Sequence, residues 1–206
     1  GTSLYKVIFG HMEGSTEILA ARALAGNIED LCSVAIFAVA GTTAIIVGRE
    51  IGAGRKDTVY EEGAALNTLA MLCALGIGVI LLLCTWFLFP WMLYPVFHLS
   101  ETAGSIATLI LTFIGATMAL RAFNTTNIVG VLRGGGDVRA ATVIDVTAMW
   151  CFALPVCAVL GLVFRLNVFW VYLAIELEQV LKFFTGMRRF RSRKLINDVT
   201  QLAAEP

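Results

Sequence analysis

Long apolar runs separated by short polar interruptions dominate this chain. Residues 63 to 97 contain no charged side chain, and about 20 apolar residues rising 1.5 Å each match the roughly 30 Å hydrocarbon core of a bilayer. Four further runs have the same character. They are Leu31 to Gly48; Glu101 to Leu132, interrupted only by Arg121; Asp137 to Phe164, with Asp145 near its start; and Leu166 to about Met187, which contains Glu176, Glu178 and Lys182. Five full membrane spans are therefore expected. Upstream, Thr2 to Met12 is apolar but too short to cross, so the chain is expected to open partway through a helix. Thr16 to Asp30 is also helical in character, and its Glu17, Arg22, Glu29 and Asp30 predict a helix that extends beyond the membrane or into a wet cavity. Pro90, Pro95 and the aromatics Trp86, Trp91 and Tyr94 predict that the second span ends near Phe89 and gives way to an interfacial loop. Pro155, in the middle of the fourth span, predicts a kink.

Composition places these runs in lipid rather than in a soluble core. Of the 206 residues 58% are hydrophobic and 15% charged, and the mean hydropathy is +0.83, far from a soluble domain. The expected fold is an all-α polytopic transmembrane helix bundle, with the bilayer as its first partner. Fifteen basic and fifteen acidic residues cancel, which argues against a nucleic-acid surface, since phosphate binding requires a clustered basic excess. The opening residues lack the basic, apolar, small-residue order of a signal sequence, so no cleaved leader is expected in them. The five cysteines all lie in apolar stretches, without C-x-x-C spacing or a neighbouring histidine, and read as packing or lipid-facing residues.

Charge also predicts sidedness. If the basic end of the chain is cytoplasmic, five alternating spans place Arg49, Arg55, Lys56, Arg133, Arg139, Lys182, Arg188, Arg189, Arg191, Arg193 and Lys194 inside. Only Lys6, Arg22, Arg121 and Arg165 then lie outside or within the membrane, as the positive-inside rule requires. Two glycine-rich turns fall on the inner side, one over Gly48 to Asp57 with Gly48, Gly52 and Gly54, the other over Arg133 to Arg139 with Gly134, Gly135 and Gly136. Neither has the strand context or the lysine of a nucleotide loop, so their glycines read as sites of positive φ and close helix approach.

Ionisable residues inside apolar spans carry the functional signal, because a charge in hydrocarbon requires a partner or water. Counting inward places Arg121 and Glu176 nearest the midplane, Asp145 in the inner third, and Glu29 and Asp30 toward the outer side. Arg121 is positioned to pair with Asp145 or with Glu176. Glu29, Asp30, Arg121 and Asp145 are the transport and ion-coupling candidates; Glu176, Glu178 and Lys182 are secondary ones. Glu178 and Lys182, four apart with the acid first, suit a within-helix pair. His11 and His98 stand far apart, no metal site or catalytic constellation assembles, and an enzyme is not expected.

Several segments resemble the second six-helix lobe of the multidrug and toxic compound extrusion (MATE) transporters, in particular bacterial members. Met12 to Ala21 (MEGSTEILAA) resembles the family's link between helices seven and eight, and Ile46 to Gly54 (IVGREIGAG) the glycine turn closing helix eight. Gly130 to Asp137 (GVLRGGGD) resembles the turn between helices ten and eleven, followed by Pro155 at the family's spacing. Glu178 to Lys182 through Arg191 to Lys194 is similar to the closing helix and tail. The resemblance implies the end of helix seven plus helices eight to twelve over 1–187 and a basic cytoplasmic tail over 188–206. The partner it implies is an N-terminal lobe of the same protein. It further implies an antiporter in the bacterial inner membrane that exports small organic or cationic, amphipathic compounds in exchange for Na⁺ or H⁺, without a cofactor. A lipid-linked oligosaccharide flippase and a non-transporting remnant or interaction partner are the alternatives. Unlike relatives with a carboxylate in helix ten, residues 101–132 have no acid beyond Glu101 and carry Arg121 instead.

Overall fold

The computed structural model describes residues 2–12 and 14–192. Residues 193–206 of the expected basic tail, with Arg193 and Lys194, lie outside the described residues. Six helical rods follow one another with no β-strand among the described residues: α1 (Thr2–Gly10), α2 (Ser15–Gly52), α3 (Lys56–Leu83), α4 (Glu101–Thr125), α5 (Val138–Thr147) and α6 (Val168–Arg191). Three of them run on through wider, π-helical turns. α3 continues over Cys84–Leu93 into Tyr94–Val96; α4 continues over Thr126–Leu132; α5 continues over Ala148–Ala153, Leu154–Ala158 and Val159–Val163. Arg188, Arg189 and Arg191 form the last turn of α6, where cations complement the helix dipole.

The prolines act differently from expectation at one place. Helix does not stop near Phe89 but passes through Pro90 to Val96, so the interfacial loop shrinks to residues 97–100. A proline has no N–H to give to the carbonyl four residues back, and the wider turns of Cys84–Leu93 absorb that missing bond without ending the rod. At Pro155 wide turns flank the proline on both sides, which is the form the expected disturbance takes. The glycine turns are also narrower than expected. Gly48, Gly52 and Gly134 are helical; only Gly54 (φ 75°) and Gly136 (φ 86°) need left-handed backbone.

Among the described residues four helices are long and apolar enough to cross a membrane: Ser15–Gly52, Thr58–Val96, Glu101–Leu132 and Val138–Val163. The expected fifth, α6, has the length, 24 residues, but Glu176, Glu178 and Lys182 make it too polar to qualify on composition. Bulky side chains on the qualifying helices point outward, with Phe87 79%, Trp91 78% and Leu31 75% exposed, as lipid-facing residues do.

The chain divides into two compact units. The first holds Gly1–Ser33, Leu75–Met118 and Ala148–Glu178, and the second Val34–Ala74, Ala119–Thr147 and Gln179–Pro206. In the first, Phe9, Ile110, Leu111, Ile114, Met118 and Val171 are fully buried, and α3 meets α4 at two glycines. A methyl on Gly78 would lie 2.5 Å from Gly115 O, and one on Gly115 would lie 2.9 Å from Leu82 Cγ.

In the second unit the closest approach is between α2 and α4. A methyl on Gly130 would sit 2.8 Å from Thr43 Cβ and 2.9 Å from Ala40 O, and one on Gly134 would sit 2.8 Å from Ala44 Cα. Gly130 and Gly134 are four apart, as are Ala40, Ala44 and Gly48, so each helix presents one stripe of small residues. Beside this seam Val47, Val59, Ile128, Val131, Leu132 and Ala141 form the core, with Phe190 of α6 packed on it.

Gly134→Val should destabilise the chain by about 1–3 kcal/mol, the usual cost of overpacking, whereas Gly41→Ala, with nothing within 4 Å, should change stability by less than about 0.5 kcal/mol. Thermal unfolding in detergent, followed by helical circular dichroism, checks both.

Candidate functional site

α6 carries two deeply buried acids. Glu176 is 4% and Glu178 6% exposed, and in the first unit each meets a hydroxyl donor from a different helix. Thr117 Oγ1 of α4 donates to Glu176 Oε2 at 2.7 Å; Tyr5 OH of α1 donates to Glu178 Oε2 at 3.1 Å. Residues two apart on a helix do not share a face, so these carboxylates are two separate acceptors. Thr117 Oγ1 also lies 2.9 Å from Phe113 O. A hydroxyl has one proton, and the shorter, charge-assisted bond to the carboxylate is the stronger of the two. One turn before Glu176, Tyr172 stacks on Phe9 with ring centroids 5.5 Å apart and closes the apolar side of this region.

The candidates read from sequence are distributed as follows. Glu29 pairs with Arg22, two turns away on α2, at 3.2 Å. Asp30, its neighbour, is exposed. Arg121 is half-buried on α4 and is not a free charge. Asp145 is held by Lys182 Nζ at 2.6 Å and, more distantly, by Arg133 at 3.9 Å. The ion partners of Asp145 are thus these two cations and not Arg121. Lys182, with a side chain only 13% exposed, needs a counter-charge more than the 45% exposed carboxylate does, and its four-carbon stem gives it the reach.

Two sets of residues in the second unit carry contacts that a search for lone intramembrane charges passes over. Asp137, 3% exposed, sits immediately before α5, where its Oδ1 accepts from Ala140 N at 3.4 Å as an N-cap carboxylate does. Its Oδ2 accepts from Arg189 Nε of α6 at 2.6 Å. An aspartate directly preceding a helical run is a legible cap signal, but its arginine partner lies 52 residues away. The second set is neutral: Asn67 Nδ2 donates to Asn127 Oδ1 at 3.4 Å, and Asn124 Nδ2 donates to Gln179 O at 2.8 Å and to its Oε1 at 3.1 Å. Uncharged amides escape a scan for charge. At the turn after α2, Glu50 receives Arg55 Nε and Nη2, each at 2.6 Å.

No group of three metal-ligating side chains occurs among the described residues. All five cysteines are free. A buried carboxylate facing a hydroxyl can take up a proton or a monovalent cation and release it, provided the hydroxyl has somewhere else to turn.

Comparison with known proteins gives two findings. The family model MatE matches residues 3–159. The chain is also similar to a protein described as probable multidrug resistance protein NorM of Thermotoga maritima, at 26% identity over 156 residues, which cover 76% of this chain and 32% of that protein. The chain therefore spans about a third of the length of that relative. No solved structure matches. The family match ends before α6, so Glu176, Glu178 and Lys182 are interpreted from this chain's own geometry.

Asp137→Ala removes a cap and an ion-pair partner together and should destabilise the chain by about 2–4 kcal/mol. Asp137→Asn keeps a capping oxygen and should cost less. Combining Asp137→Ala with Arg189→Gln in a double-mutant cycle should give a coupling of at least about 1 kcal/mol, read from denaturant unfolding in micelles.

Proposed function

This chain belongs to the MatE family, and from that premise we propose that it forms the C-terminal lobe of a multidrug efflux antiporter that exchanges amphipathic or cationic compounds for Na⁺ or H⁺. The family is one of transporters rather than enzymes. The proposed partner is an N-terminal lobe of the same protein. The proposed setting is the bacterial inner membrane, with the basic turns and the end of α6 on the cytoplasmic side. Supporting that orientation, Arg49, Arg55, Arg133, Arg139, Lys182, Arg188, Arg189 and Arg191 all belong to the second compact unit, whereas the first contains only Lys6, Arg22 and Arg165 as basic residues.

The observation that carries the coupling reading is Glu176, 4% exposed and held by Thr117 at 2.7 Å. While Glu176 is charged, the hydroxyl points to it. When a proton or Na⁺ neutralises the carboxylate, the advantage of the charge-assisted bond disappears and the hydroxyl turns to Phe113 O, 2.9 Å away. The ion is thereby converted into a change of partner between α6 and α4. Glu178, held by Tyr5, is a second acceptor of the same kind linking α6 to α1. Arg121 and Asp145 with Lys182 brace the surrounding helices, Glu29 pairs with Arg22 along α2, and Asp30, exposed on α2, meets the ion or substrate at the entrance.

In proteoliposomes containing the native gene product, Glu176→Gln should lower efflux of ethidium driven by a Na⁺ or pH gradient by about tenfold or more, with the folded yield on gel filtration unchanged. Thr117→Val should leave efflux measurable but shift its dependence on Na⁺ or pH. Full gradient-driven efflux in Glu176→Gln would remove this residue from the coupling step.

A further inference from the structure

Two cavities of the first unit converge on Glu17. The smaller, about 390 Å³, joins it to His98. The larger, about 860 Å³, is lined by His11 and Glu17, by Thr102 at the start of α4, and by Arg165 and Asn167 between α5 and α6. Its size is that of a small-molecule site, and its charges are unusual in their arrangement. Among the described residues neither Glu17 nor Arg165 has a hydrogen-bond or ion-pair partner, although the two opposite charges line the same cavity. Arg165 is also held at φ 49°, a left-handed backbone that a side chain of this size adopts only where its surroundings impose it.

The side of the cavity at Arg165 is built to receive an anion. Asn167 caps α6: its Oδ1 accepts from Phe169 N at 3.5 Å and its carbonyl accepts from Trp170 N at 3.0 Å. With the amide oxygen turned to the helix, the amide N–H₂ remains as a donor at the positive end of a 24-residue helix, in the same cavity lining as Arg165. Glu17 is the carboxylate among the described lining residues, the group that receives a cation. Within two residues of lining positions along the chain, Val163 is 71%, Phe164 64% and Trp170 50% exposed, apolar side chains that include the aromatic type marking a lipid–water boundary.

We infer that this cavity is a binding site for a headgroup that carries both a phosphate and a primary ammonium, with the phosphate at Arg165 and Asn167 and the ammonium at Glu17. The chemistry is that of phosphatidylethanolamine or of free phosphoethanolamine. It is independent of the coupling role proposed for Glu176.

Native mass spectrometry of the delipidated chain in detergent, titrated with phosphatidylethanolamine or phosphatidylglycerol, tests the inference. The chain should retain the ethanolamine lipid about fivefold or more over the glycerol lipid, as expected for one added ion pair. Glu17→Gln should abolish that preference, and Arg165→Gln should weaken retention of both lipids. Competition by free phosphoethanolamine would show that the headgroup suffices, and its absence that the acyl chains are required. Circular dichroism confirms folding, and if Arg165→Gln misfolds, Glu17→Gln alone decides. Equal retention of the two lipids by the unsubstituted chain, or a preference that survives Glu17→Gln, would overturn the inference.

Discussion

The contact of Gly130 and Gly134 with Ala40, Thr43 and Ala44 is the constraint on which the second unit rests. In hydrocarbon there is no water for an apolar side chain to escape, so helices gain little from burying leucine against leucine and much from bringing backbones close enough for dense packing. The two glycines leave no room for a Cβ. Val47, Val131 and Leu132 can then reach zero exposure, and α6 closes over the seam through Phe190. The first unit repeats the device with Gly78 and Gly115 between α3 and α4.

Close packing of small residues leaves few places for charge, and the charges that remain are correspondingly specific. Asp137 joins the start of α5 to the end of α6 through Arg189, and Asp145 joins α5 to the same helix through Lys182. α6 thus carries several of these polar contacts: ion pairs to Asp137 and Asp145 in the second unit, and hydroxyl bonds received at Glu176 and Glu178 in the first. Removing either partner of those ion pairs strands the other charge, and at Glu176 and Glu178 the hydroxyls of Thr117 and Tyr5 add bonds whose strength follows the charge on the carboxylate.

Much of this was legible in the sequence, because a membrane span is written in length and apolarity. Residues 101–132 form a helical rod at the bounds the apolar run predicts, and the α5 rod starts and ends within a residue of its prediction. What escaped has physical reasons. Pro90 reads as a helix end, yet a rod in lipid cannot leave backbone groups unpaired and answers with wider turns. Gly48 and Gly134 read as residues for positive φ or for close helix approach, and the second reading holds at Gly134, which abuts Ala44; sequence shows the missing side chain and not the neighbour that needs the space. Asp145 was identified as a residue needing a partner, but which cation would reach it depended on the facing of three helices. Glu178 reads as secondary because an acid four before a lysine suggests a local pair, and Glu176 reads as a partner for Arg121; only packing shows that Tyr5 and Thr117 approach them.

The measurement that bears most directly on the account is hydrogen–deuterium exchange of the chain in lipid nanodiscs, with and without Gly130→Val. If close approach of α2 and α4 organises the second unit, amides of residues 40–48 and 128–134 should lose protection together in the variant, while residues 103–114 of the first unit keep theirs. Unchanged exchange across both segments, or a loss confined to the substituted helix, would contradict it.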